Sequence, residues 1–156
     1  MKAVLYSLRP ACLLAWLLAG GAMAAPDGGA VFVQHCAMCH QADASGVAGL
    51  APSLKGEHWT KLGADRSYLP TVILKGLFGP IQLGSGPGSQ SFNGNMPGFA
   101  QTLDDETIAA VASHVLALQG GGKVTVYSAD EIKAARQRAG SPGQSRQTRS
   151  QLLGAK

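Results

Sequence analysis

Cys36-Ala37-Met38-Cys39-His40 is the stretch that decides how this chain reads. Two thiols three residues apart, followed at once by an imidazole, form the pattern of covalent c-type haem attachment. Each thiol can add to one porphyrin vinyl group, and the next residue then presents a nitrogen to the iron. An exported protein with two cysteines would by default pair them in a disulfide. The very short spacing and the adjoining His40 favour haem instead. Zinc would need a second ligand pair at matching spacing, and none follows.

The chain begins with an export pattern. Lys2 and Arg9 give a positive start, Ala11 to Ala19 is an apolar run too short to span a bilayer, and Ala22-Met23-Ala24 is an Ala-x-Ala cleavage site. Residues 1–24 are therefore expected to be a signal peptide, residues 25–138 the folded domain and residues 139–156 a disordered basic tail. The expected location is the periplasm, with no transmembrane segment after cleavage. Cys12 leaves with the signal, so the mature chain keeps Cys36 and Cys39.

Thirteen Lys and Arg against 9 Asp and Glu give a formal charge of +4. The excess lies at the ends. Residues 25–138 hold 8 basic and 9 acidic side chains, net −1. Nucleic-acid binding asks for a clustered basic face with interleaved aromatics, which this core lacks. A core of this size is marginal on its own apolar burial, and a haem would add apolar surface at its centre.

The periodicity is helical. Gly28, Phe32, Cys36 and Cys39 lie on one stripe, so a helix capped by Asp27 is expected from Gly28 to Ala37. A small-residue loop follows from Gln41 to Trp59. Ser67 is a candidate cap for a second helix, with Pro70 in its first turn and Leu69, Val72 and Ile73 on one face. From Gly76 to Gln101 turn residues dominate, and Gly79 to Leu83 can pair with Ser91 to Asn93 as a small hairpin. A third helix starts after Asp104 and buries Ile108, Val111, Ala112, Val115 and Leu118. Gly120-Gly121-Gly122 ends it. Ser128 and Glu131 form a capping box for a fourth, with Tyr127 and Ile132 as a staple. Beyond Arg138 the composition reads as disordered, so deletion there is expected to leave the fold intact. The expected class is all-α, about four helices round one covalently bound haem.

His40 is the expected proximal ligand, with the Pro52 carbonyl on its other nitrogen. The sixth position decides function, since an open site favours ligand binding or catalysis and a Met thioether favours electron transfer at raised potential. Met38 lies between the thioether cysteines and cannot reach the distal face. Met96, framed by Gly94, Pro97 and Gly98, is the expected ligand. Ile73, Phe92 and Phe99 are expected to pack on the haem. His35 and His58 are expected at the surface, and His114 lies on the third helix. No catalytic residue is assigned.

Beyond these readings, the chain resembles the class I bacterial cytochromes c from about Gly28 to Arg138. The stretches that carry the resemblance are Gly28-x3-Phe32-x3-Cys36-x-x-Cys39-His40, Ala51-Pro52-Ser53-Leu54-Lys55-Gly56, Ile73-Leu74-Lys75-Gly76-Leu77-x-Gly79-Pro80-Ile81 and Phe92-Asn93-Gly94-Asn95-Met96-Pro97, with the Leu103-to-Leu118 helix. The resemblance implies a cytochrome c fold with its first and last core helices crossing, His40/Met96 coordination and Pro52 on His40. The nearest look-alikes are small periplasmic monohaem cytochromes that accompany dehydrogenases or feed terminal oxidases. The implied role is a one-electron carrier between a dehydrogenase or respiratory complex and an acceptor, as a monomer or a subunit of a complex. A haem enzyme or gas sensor with a displaceable sixth ligand is the alternative. One departure is His114, where the family often has an aromatic packed against the first helix; it is expected to weaken or wet the contact with Gly28 and Phe32.

Overall fold

The computed structural model describes residues 24–120 and 125–154. Apart from Ala24, the expected signal segment lies outside these residues. Among them no helix is long and apolar enough to cross a membrane.

The first helix, α1, spans Gly28–His35, and a single further turn, α2, spans Ala37–His40. Asp27 caps α1 by accepting from the Gly29 N–H at 2.9 Å. The Cys36 N–H still donates to the Phe32 carbonyl, so the break between α1 and α2 is a local adjustment at the motif. Two later helices complete the predicted frame. α4 runs Tyr68–Lys75 and α5 runs Asp105–Leu118, the latter capped by Asp104 Oδ1 on the Thr107 N–H at 2.8 Å. Ser67 precedes α4, but its side chain does not cap the helix. Its hydroxyl donates to Asp65 Oδ1 instead, at 2.7 Å.

Helix α1 crosses α5 at close range. A Cβ on Gly28 would collide with the Ala110 carbonyl and come to 3.0 Å from His114 Cβ. Only glycine lets the two backbones meet there. His114 packs into the crossing rather than leaving it open: its ring lies against Phe32, with centroids 5.4 Å apart and a 44° tilt, and Phe32 is fully buried. The imidazole fills the place of the missing aromatic through a tilted ring contact.

The Gly-rich segment contains the expected hairpin. β1 (Ile81–Leu83) pairs antiparallel with β2 (Gln90–Phe92), with Ile81 opposite Phe92. Three elements exceed or sharpen the sequence reading. A short helix α3, His58–Leu62, occupies the end of the predicted loop and buries Trp59 and Leu62. The fourth predicted helix is α6, Ala129–Gln137, with both halves of the Ser128–Glu131 capping box formed. The tail predicted to be disordered instead forms α7, Pro142–Leu153, capped by Ser141 and ended by left-handed Gly154.

That correction has a physical cause. Helix α7 has almost no apolar stripe, so periodicity did not reveal it. It docks across α3 and α4 and is tied at both ends. The Phe78 N–H donates to the Pro142 carbonyl at 3.2 Å, and Lys61 Nζ to the Leu153 carbonyl at 3.5 Å. Its face toward the body carries Ser145 and Arg149, both buried, one helical turn apart.

The core is continuous. Phe32, Leu62, Leu74, Ile108, Val111 and Ile132 are its fully buried large side chains, drawn from α1, α3, α4, α5 and α6. Arg136 fastens α6 to the rest. Its guanidinium pairs with Asp105 Oδ1 at 2.7 Å and also donates to the Ala100 and Leu103 carbonyls.

Candidate functional site

The structure gathers most of the predicted site residues round one cavity, partly open to solvent. Its wall includes Cys36, Cys39, His40, Pro52, Ile73, Met96 and Phe99. Aliphatic side chains from helices and loops supply much of the remainder: Leu69 and Val72 from α4, Val111 and Val115 from α5, and Leu54 and Leu77 from loops. A largely apolar hollow with a few convergent polar groups is how small-molecule and cofactor sites are built. Phe92 is the exception. It is buried against the hairpin partner Ile81 rather than lining the cavity, because its strand register turns it into the core.

His40 ends α2 and is buried. Its Nδ1 lies 3.0 Å from the Pro52 carbonyl, which acts as acceptor when that nitrogen carries the proton. The loop is folded to bring that carbonyl in. The Gly46 N–H donates to the His40 carbonyl, Val47 and Ala51 exchange bonds, and the Leu54 N–H reaches the Ala44 carbonyl. Burial pulls the His40 imidazole below its ordinary value, against the opposing pull of the Pro52 bond. The ring is therefore neutral near pH 7, with Nε2 left to bind a metal.

Met96 is held by its backbone. Its N–H and carbonyl both pair with Leu77, at 2.9 and 3.0 Å. Either side of it, the Gly94 N–H donates to the Leu50 carbonyl and the Phe99 N–H to the Ile73 carbonyl. The loop is thus laced to the end of α4 and to the segment before Pro52. Gly76 makes the lacing feasible. Its φ is +81°, and a Cβ there would sit 2.5 Å from the Met96 carbonyl oxygen.

Cys36 and Cys39 lie half-buried on the wall. Burial, with Cys39 close by, pushes the Cys36 thiol up to about 11. A thioether sulfur has no proton to lose, so the same apolar setting suits it. Among the described residues no cluster of three His, Cys, Asp or Glu side chains is placed to hold a metal ion.

The other histidines have partners. His35 is half-buried, lines the cavity and meets the Phe99 ring edge-on at 6.1 Å, rather than facing solvent. His58 Nε2 lies 3.0 Å from the Ser53 carbonyl. Met38 is 87% exposed at the cavity rim.

Three wall residues escaped the sequence reading. Trp59 and Tyr68 are buried neighbours, ring centroids 6.3 Å apart. Arg149 is 4% exposed and meets Tyr68 Oη through Nη1 at 3.1 Å. Tyr68 could have been suspected from its place beside Leu69 and Pro70. Arg149 had no signal, because its segment has no apolar period.

Comparison with known proteins bears on this site. Residues 23–115 match the sequence model of the family described as cytochrome c oxidase, cbb3-type, subunit III. The chain is 38% identical to a cytochrome c-552 of Thermus thermophilus, over 85% of this chain and 90% of that protein. It is 34% identical to the fructose dehydrogenase cytochrome subunit of Gluconobacter japonicus over 70% of this chain, which is only 22% of that longer subunit. A cbb3-type cytochrome c oxidase subunit of Rhodobacter capsulatus is 35% identical over 62% of this chain and 30% of its own length.

Proposed function

This chain belongs to the c-type cytochromes, with one c-type haem and an electron-carrier role, and from that premise we propose which residues hold the haem and where the protein works. Cys36 and Cys39 form the two thioethers, His40 and Met96 are the axial ligands, and the Pro52 carbonyl orients the His40 ring. Residues 1–24 are removed on export, and the mature protein acts in the periplasm. Its partners are a dehydrogenase or respiratory complex on one side and an acceptor such as a terminal oxidase on the other. Relatives named as cytochrome subunits of a dehydrogenase and of a cbb3-type oxidase support that direction. The same relatives disfavour a haem enzyme or gas sensor.

The observation that carries the ligand assignment is the convergence of two side chains on one cavity: His40, its outer nitrogen 3.0 Å from Pro52, and Met96, held through both its backbone groups. The residues fit the cofactor: attachment thiols, a neutral imidazole, a thioether and an apolar wall converge on one hollow. The bound haem supplies an iron that changes oxidation state by one electron. The chain's own contribution is to keep that centre rigid and dry. Pro52 holds the imidazole at one angle. The lacing of Met96 to Leu77 limits movement of the thioether. Leu69, Val72, Ile73 and Val111 exclude water, and sulfur ligation in such surroundings raises the potential.

The test is the absorption spectrum of the oxidised protein. The weak far-red band of a ferric thioether should be present in the native protein and absent in Met96→Ala, with a lower midpoint potential. Survival of the band in that variant would overturn Met96 as ligand.

A further inference from the structure

Arg149 is a buried cation with no matching anion among the described residues. Of its donors, Nη1 is placed 3.1 Å from Tyr68 Oη, while Nε and Nη2 are buried with no partner among the described residues. The acids that form ion pairs are committed elsewhere, Glu131 to Arg66 and Asp105 to Arg136. A guanidinium taken out of water needs a charged acceptor, and Tyr68 Oη is a neutral one. Burial moreover holds the Tyr68 phenol above its ordinary value. The unused donors belong to a side chain that lines the cavity.

The helix that carries Arg149 raises the same question. Between Pro142 and Gln151 it offers no large apolar side chain, yet it lies against α3 and α4. Hydrophobic burial through Leu152 and Leu153 accounts for one end only.

Resting on the haem site proposed above, we propose that Arg149 pairs with a propionate carboxylate of the haem, so that α7 is a latch closed by the cofactor. A haem brings two carboxylates into an otherwise apolar hollow, and Nε and Nη2 form the side of the guanidinium that grips a carboxylate with two parallel bonds. Tyr68 then positions the guanidinium from its other end. The pair neutralises both charges, and the docked helix shields that part of the cavity from water.

The experiment compares the holoprotein with Arg149→Gln, Arg149→Lys and Arg146→Gln. Arg146 is an exposed cation on the same helix, so it controls for net charge. Arg149→Gln should shift the midpoint potential downward, because an uncompensated propionate favours ferric iron. It should also move the propionate bending modes in the resonance Raman spectrum and speed amide exchange along α7. Arg149→Lys should recover part of the potential, and Arg146→Gln should change neither potential nor Raman modes. The far-red band should persist in all three; its loss in the native protein would indict the haem site instead. Potential and propionate modes unchanged in Arg149→Gln, even with faster exchange in α7, would overturn the pairing and leave Arg149 a packing residue.

Discussion

His40 and Gly28 show how much a single position can decide. At His40 the sequence pattern carries both the identity and the neighbour, since one imidazole follows the cysteine pair and a proline-bounded loop returns to it at 3.0 Å. At Gly28 the pattern supplies a helical stripe, and the structure supplies the reason for glycine. A methyl there would push into the Ala110 backbone and His114. Gly28→Ala should therefore cost about 2 kcal/mol as overpacking of a helix crossing, although alanine is the better helix former. Denaturant unfolding would check it; a neutral or stabilising effect would show that α1 can shift outward freely. His114 teaches the converse. As a residue type it read as a weak point, whereas its ring packs against Phe32, a relation set by rotamer and crossing distance rather than by sequence spacing.

Among the elements, α6 is held by two arginines of unequal weight. Arg66 reaches Glu131 with two bonds, at 2.6 and 3.1 Å, and lies over the Tyr127 ring at 4.2 Å. The Arg66 partnership and the Ser128 cap bring Glu131 down to about 2, from an ordinary 4.5. A depressed carboxyl stabilises the fold above its unfolded value, and that contribution fades as pH falls from about 4.5 through about 2. Both side chains are about two-fifths exposed, so solvent screening limits the effect to at most about 1 kcal/mol. Urea titrations between pH 5 and about 2 should show this component in native protein and lose it in Glu131→Gln. Arg136 is more enclosed and serves an acid and two backbone carbonyls. Arg136→Ala should cost about 2–3 kcal/mol, since it leaves Asp105, Ala100 and Leu103 without their donor. If the two variants proved equally mild, the Ala100–Leu103 turn would be solvated rather than held by α6. The capping box of α6 and the cap of α5 were legible because each needs only a few adjacent residues. Helix α3 was not, being too short to show a period.

For the whole molecule, the largest revision is the chain's C-terminal part. The expectation that residues after Arg138 could be removed without consequence does not survive the docking of α7. Deletion after Arg138 should lower stability on the order of 3 kcal/mol, from the lost burial of Leu152 and Leu153, and should open the cavity beside Tyr68. Thermal unfolding and hydrogen exchange of α3 and α4 would register both. Unchanged values would return the segment to a passive tail. Charge speaks at this scale too. With a core close to neutral, long-range electrostatic steering is weak.

By itself the sequence determined the chemistry that adjacency encodes: two thiols and an imidazole in five residues, a glycine- and proline-framed methionine, helix caps, and the stripes of α1, α4 and α5. Such features need only neighbours along the chain, so local stereochemistry makes them readable. Tertiary structure alone decided that Leu77 would pin Met96, that His114 would serve as an aromatic, that Phe92 would face the core, and that Arg149 would be carried into the cavity from a polar helix. Those contacts join residues far apart in the chain or invert what composition suggests. They exist only once the helices have packed and burial has fixed which polar groups must find each other.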